Sequence, residues 1–146
     1  MAVAYKIVHW LCRIGLAGIF FYSGYTKIKA PLEFAASLSA YQLFPAKLIF
    51  PIADYFPWIE ILLAIALLIG WKIRYVALAV AGVLCFFLCI LAITYFRGIE
   101  ADCGCFGSGD RISPRTLARD FTFLLPALFL IFEPRIRMWR RARPET

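Results

Sequence analysis

The residues with chemistry to offer are Cys103 and Cys105, set in the run Asp102-Cys103-Gly104-Cys105-Phe106-Gly107. Two thiols separated by one glycine can close a small, strained disulfide, and strain makes such a bond more oxidising and more readily exchanged. They can also present two thiolates to one soft metal ion such as Cu(I), Zn(II) or Hg(II). A structural staple in an oxidising compartment is the third option. Closing a loop over one residue removes little chain entropy, which argues against the staple. Gly104 and Gly107 relax the backbone enough to permit ring closure. Arg97, Arg111 and Arg115 lie nearby in sequence and favour a thiolate, while Asp102 opposes it. The redox reading is preferred to the metal one.

Two further cysteines, Cys85 and Cys89, stand at i, i+4 on one helix face. On an intact helix their Cα atoms are too far apart for an unstrained disulfide. Their ordinary reading is as small packing residues, and their chemical reading is as relay thiols or joint metal ligands. Cys12 stands alone beside Arg13. The sequence contains no nucleotide-binding loop, serine–histidine arrangement or histidine-rich metal site, and His9 is its single histidine.

The elements that must position these thiols are membrane helices. Hydrophobic residues make up 63% of the 146, the mean hydropathy is +0.79, and only 17% are charged, against roughly 25% charged in soluble domains. Four apolar runs, about 7–28, 48–70, 73–96 and 116–133, approach the length that crosses a bilayer core of roughly 30 Å as helices. The expected fold is all-α: one integral-membrane four-helix bundle spanning 1–146, with a basic tail over 134–146. Between the first two spans, Phe34, Leu38 and Tyr41 keep helical spacing and predict a short interfacial helix. Pro51 and Pro57 predict either a kinked second span or one that begins near Pro57 after a re-entrant turn.

The net charge of +7 does not point to nucleic acid, because the basic residues flank apolar runs as membrane topology requires. Lys6, Lys72, Arg74 and five tail arginines fall on one side of a four-span layout. Lys27, Lys29, Lys47, Arg97, Arg111, Arg115 and Arg119 fall on the other. The numbers nearly balance, but the density of arginines after the last span places both termini in the cytoplasm and the Cys103/Cys105 loop outside. The weakly basic Met1 to Lys6, with no small-x-small cleavage site after it, predicts that the first segment is retained.

Arg13 and Glu60 fall inside predicted spans, where ionisable groups are costly and normally face a partner. Their natural pairing is with each other. Such a pair either fixes helix register or forms part of a quinone, proton or substrate pocket. Arg119-Asp120 opens the last span, as an interfacial anchor or a site component.

The order Arg13 … Gly18-x-Phe20-x-x-x-Gly24-x-x-Lys27, then Phe34 … Tyr41-x-Leu43-x-Pro45, then Pro57-x-x-Glu60 resembles the DoxX-like membrane proteins. The added Cys103-Gly104-Cys105-Phe106-Gly107 before Arg119-Asp120 resembles their methylamine-utilisation branch, the MauE-like proteins. The resemblance covers nearly the whole chain. It implies a four-helix bundle in a bacterial inner membrane and a role in thiol redox chemistry with a periplasmic thioredoxin-like partner. It also implies a link to a quinone, Cys103 and Cys105 as the reactive pair, and Arg13 and Glu60 at the family's intramembrane charged positions. The expected function is therefore a membrane thiol–disulfide oxidoreductase component. A soft-metal or small sulfur-species carrier passing its ligand along Cys89 and Cys85 is the rival, and a non-catalytic assembly subunit is the third reading.

Overall fold

The computed structural model describes residues 2–106 and 109–141, with side chains over 3–106 and 109–132. Among the described residues it is all-helical: α1 (Ala2–Lys29), α2 (Pro31–Ala40), α3 (Ala46–Ile69), α4 (Ile73–Phe96) and α5 (Pro114–Arg141). Gly107, the last residue of the cysteine run, lies outside that description, as do residues 142–146 of the tail. The helix over 73–96 falls where the sequence placed it. α1 begins at Ala2 rather than near Ile7, because Ala2-Val3-Ala4 adds helix-compatible residues ahead of the apolar run. α5 begins at Pro114, a residue pre-set for the first helical position, and runs on through the basic segment to Arg141.

Three helices, α1, α3 and α4, are long and apolar enough to cross a membrane. Their surfaces are inverted relative to a soluble protein. Leu11, Ile14 and Phe21 on α1, Leu62 and Ile69 on α3, and Leu78 and Phe86 on α4 are exposed, while Arg13, Ser23, Lys27 and Glu60 are buried. Helix contacts are made by small residues, with Ala17, Ala64, Ala77 and Ala127 buried among Leu16, Leu67, Val80 and Leu130. Without a hydrophobic drive between helices in lipid, such residues let backbones come close enough for dispersion to hold them.

The α1–α3 contact is the closest case. A Cβ added at Gly24 would lie 2.8 Å from the Pro57 carbonyl oxygen and 2.8 Å from Ile61 Cγ1. Pro51 and Pro57 both lie within α3, which runs unbroken from Ala46 to Ile69. The helix therefore does not begin near Pro57. α2 packs its Phe34, Ala35 and Leu38 inward, and Phe34 meets Phe56 of α3, which in turn meets Phe87 of α4. This second core cluster also contains Tyr41, Leu91 and Cys103.

Candidate functional site

The 97–113 connection is folded back on itself and into the mouth of the helices. The Cys103 N–H donates to the Asp110 carbonyl at 2.8 Å and the Ile112 N–H to the Ala101 carbonyl at 3.0 Å, tying the two limbs together. Tyr41, at the end of α2, shares its hydroxyl proton between the carbonyls of Cys103, at 2.7 Å, and Asp102, at 3.0 Å. Burial raises the Tyr41 phenol far above its ordinary range, so it stays a donor. Gly104 has φ +65°, and a Cβ there would press on Ser37 Cβ and Tyr41 Oη, each at 3.3 Å. The glycine between the cysteines thus serves both the turn and its seating against α2.

This folding gives the two sulfurs different surroundings. Cys103 is fully buried, at 0% exposure, and Cys105 is half-buried. Cys103 Sγ lies 3.4 Å from Asp110 Oδ2, receives the Cys105 N–H at 3.5 Å and the Arg119 Nη2–H at 3.8 Å. Hydrogen bonding from the Cys105 thiol, ahead of the opposing effect of burial, draws the Cys103 thiol below its ordinary value. The same pairing, with burial and the charge on Cys103, pushes Cys105 well above its own. Of the two thiols, Cys103 is therefore the one whose surroundings favour the thiolate, against the opposing Asp110 carboxylate, and Cys105 the one whose surroundings favour the proton.

Beneath the loop is a buried ion pair that the sequence reading did not identify. Lys27 Nζ donates to both Glu60 oxygens at 2.8 Å and to Ser23 Oγ at 2.6 Å. Ser23 in turn has one hydroxyl proton for the Cys105 carbonyl, at 2.8 Å, and Glu60 Oε1, at 3.1 Å. Lys27 and Glu60 are 3% and 5% exposed. The predicted Arg13–Glu60 pairing is corrected here. Arg13 donates instead to the carbonyls of Leu67 and Leu68 at the far end of α3 and stacks over Trp10. The antiparallel register of α1 and α3 puts Arg13 level with the end of α3, beyond reach of Glu60, where free carbonyls await a cation.

Arg119, expected as an anchor or a site component, is at the site. It pairs with Asp110 at 2.7 Å and with Asp120 at 3.3 Å, and lies over the Phe106 ring. Phe106 itself packs between Tyr22 and Phe123. A cavity of about 40 Å³ under the loop is lined by Cys105, Asp120, Lys27, Glu60, Phe20 and Phe87, among others. A larger open groove of about 480 Å³ runs beside the loop between α2 and Asp102, with Glu33, Glu100 and Arg111 in its walls.

Residues 5–133 match the family described as methylamine utilisation protein MauE. The chain belongs to the MauE family. It is 37% identical to the MauE of Methylophilus methylotrophus over 81 residues, 54% of this chain and 42% of that protein. It is 31% identical to the MauE of Paracoccus denitrificans over 104 residues, 70% of this chain and 56% of that one. The chain thus spans about half the length of the curated relatives it matches. No solved structure matches it. With three helices fit to cross a bilayer, this MauE-family chain is a bacterial membrane protein.

Not every predicted residue reaches the site. Cys85 and Cys89 are exposed on α4, while Val83, Leu84 and Phe87 of the same helix line the cavity. The structure does not bring the helix cysteines together with the loop pair. Among the described residues, no group of three or more Cys, His, Asp or Glu side chains could hold a metal ion. The quinone that the resemblance implied also finds no room under Cys105, since small-molecule pockets usually need about 300 Å³ or more. No step is derived through one. The signal that could have revealed the ion pair was present: Ser23 and Lys27 form an i, i+4 polar pair that follows the apolar stretch 14–21 of α1.

Proposed function

We propose that this MauE-family protein is a membrane thiol–disulfide exchange component of methylamine utilisation. Its Cys103/Cys105 pair reacts with a periplasmic thioredoxin-like protein. α5 serves as a fourth span, α2 lies at the membrane interface, and the cysteine loop faces the periplasm. The observation that carries the reading is the inequality of the two sulfurs: Cys103 is buried and drawn toward the thiolate by hydrogen bonding from the Cys105 side chain and N–H, while Cys105 is half-buried and its thiol is pushed up.

That inequality assigns roles. A thiolate of the reduced partner attacks the accessible sulfur, Cys105, of a Cys103–Cys105 disulfide. The partner–Cys105 bond forms, the Cys103–Cys105 bond breaks, and Cys103 departs as the thiolate that its surroundings stabilise. A lower-pKa sulfur leaves faster. The partner's second thiolate then attacks its own sulfur in the mixed disulfide and releases Cys105, which takes up a proton. Two electrons have moved from the partner to this chain, and the same steps run backwards reduce the partner. The buried Lys27–Glu60 pair holds Ser23, and Ser23 holds the Cys105 carbonyl, so the loop is presented at a fixed depth.

Trapping tests this directly. In cells expressing Cys103→Ser, Cys105 can still attack the disulfide of an oxidised partner, but no Cys103 thiolate remains to complete the exchange, so a reducible adduct with a soluble partner should accumulate on non-reducing gels. Cys105→Ser should trap several-fold less, because Cys103 is buried. If neither variant traps a partner, and both cysteines prove permanently reduced and metal-protected, the exchange reading fails.

A further inference from the structure

Cys105 must lose or gain a proton each time it exchanges, yet it sits in a half-buried, largely apolar setting. Thiolate formation there needs a nearby group to hold the proton, because releasing it to water leaves an added charge in the site. Five elements face the cavity or loop with charged or titratable groups. Lys27 comes from α1, Tyr41 follows α2, Glu60 comes from α3, and Asp110 belongs to the loop. Arg119 and Asp120 come from α5. The α4 wall, with Val83, Leu84 and Phe87, is apolar.

Geometry narrows the choice. Both Glu60 oxygens accept Lys27 at 2.8 Å, and Oε1 also faces Ser23, so this carboxylate is fully engaged by a cation. Asp110 is committed to the other sulfur and to Arg119. Tyr41 donates to the loop carbonyls. Asp120 is 7% exposed, lines the same cavity as Cys105, and has a single longer bond, at 3.3 Å, from Arg119 to its Oδ1. The cavity that both residues line is about 40 Å³, volume enough to hold a water.

We propose that Asp120 is the internal proton acceptor of Cys105, taking the thiol proton as Cys105 becomes a nucleophile and returning it when Cys105 leaves. The two sulfurs then have separate carboxylates, Asp110 at Cys103 and Asp120 at Cys105, with Arg119 joined to both. The proton moves from Cys105 Sγ to the Asp120 carboxylate, and no electrons change hands in that step. The proposal deepens the exchange reading, but its test needs no partner protein.

The test is the pH dependence of Cys105 alkylation by N-ethylmaleimide. The full-length protein is purified in detergent, with Cys103→Ser and with Cys12, Cys85 and Cys89 replaced by alanine. If Asp120 holds the proton, the fraction in the thiolate–carboxylic acid form is independent of pH over the range where one proton is shared. The rate should then be flat between about pH 5 and 7 and rise only above that. Asp120→Asn should abolish the flat limb, leaving a rate that climbs about tenfold per pH unit and is at least tenfold below the parent at pH 5. Asp120→Glu should restore the flat limb. A purely electrostatic role gives the opposite sign, since removing an anion speeds thiolate formation at every pH. The two profiles cross as pH rises, so the deciding comparison is at pH 5, where an Asp120→Asn rate equal to or above the parent's overturns the proposal. So does a parent profile with the tenfold slope throughout, a measurement that does not depend on any Asp120 variant folding.

Discussion

At the scale of single residues, the side chain that most deserves perturbation is Lys27. It neutralises Glu60 with bonds of 2.8 Å at 2% side-chain exposure, and it lies 5.1 to 5.6 Å from the centres of the Phe34, Phe56 and Phe87 rings. The aromatic faces add attraction for the ammonium. Replacing one partner of a buried pair strands the other charge, at a cost on the order of 3–5 kcal/mol. Lys27→Met should therefore lower the detergent melting temperature strongly. Glu60→Gln added to it should recover much of the loss, because no stranded charge then remains. A double-mutant cycle with no coupling between the two sites would show that the pair contributes nothing to holding α1 against α3.

At the scale of elements, the pattern of apolar runs made the helices legible, and the failures came where one helix meets another. Hydropathy placed a helix over 73–96 and Phe34, Leu38 and Tyr41 on one buried face, because each depends only on spacing along one helix. The partner of Glu60 depends on the relative shift of α1 and α3, which spacing within a helix does not encode. Gly24 fixes that shift by allowing α1 to touch the Pro57 carbonyl. A methyl at Gly24 meets backbone at 2.8 Å, whereas Gly18 has nothing within 4 Å. Gly24→Ala should therefore cost about 1–3 kcal/mol through overpacking. It should also loosen the site, since Ser23 and Lys27 lie within one turn of it. Gly18→Ala should be near neutral. Comparable melting temperatures for the two variants would mean that α1 and α3 do not need this close approach. The cysteine run stood out in the sequence, but its folding back among the helices did not, because its seating rests on Tyr41 at the end of α2, Ser23 of α1 and Arg119 of α5.

At the scale of the whole molecule, the side of the membrane occupied by the loop follows from parity. If α1, α3 and α4 each cross, the chain's start and the α3–α4 turn share one side, and α2 and the cysteine loop share the other, whatever α5 does. The contacts agree with that arrangement, because α2 holds the loop through Tyr41 while Arg13 caps α3 at the opposite end. Absolute orientation then depends on the charge bias, whose densest element is the arginine run over 135–143, which begins within the last turns of α5. Two reporters on a cysteine-free background separate the alternatives. Arg115→Cys lies just after the loop, at an exposed position, and Trp71→Cys lies in the α3–α4 turn, where the native residue is 75% exposed. A membrane-impermeant maleimide applied to intact, outer-membrane-permeabilised cells should label Arg115→Cys at once, and Trp71→Cys only after lysis. The reverse pattern would place Cys103 and Cys105 in the cytoplasm. A periplasmic partner could not then reach them, and the exchange chemistry would need a cytoplasmic thiol donor. Labelling of both reporters before lysis would mean that α4 does not cross, which would break the parity on which the orientation rests.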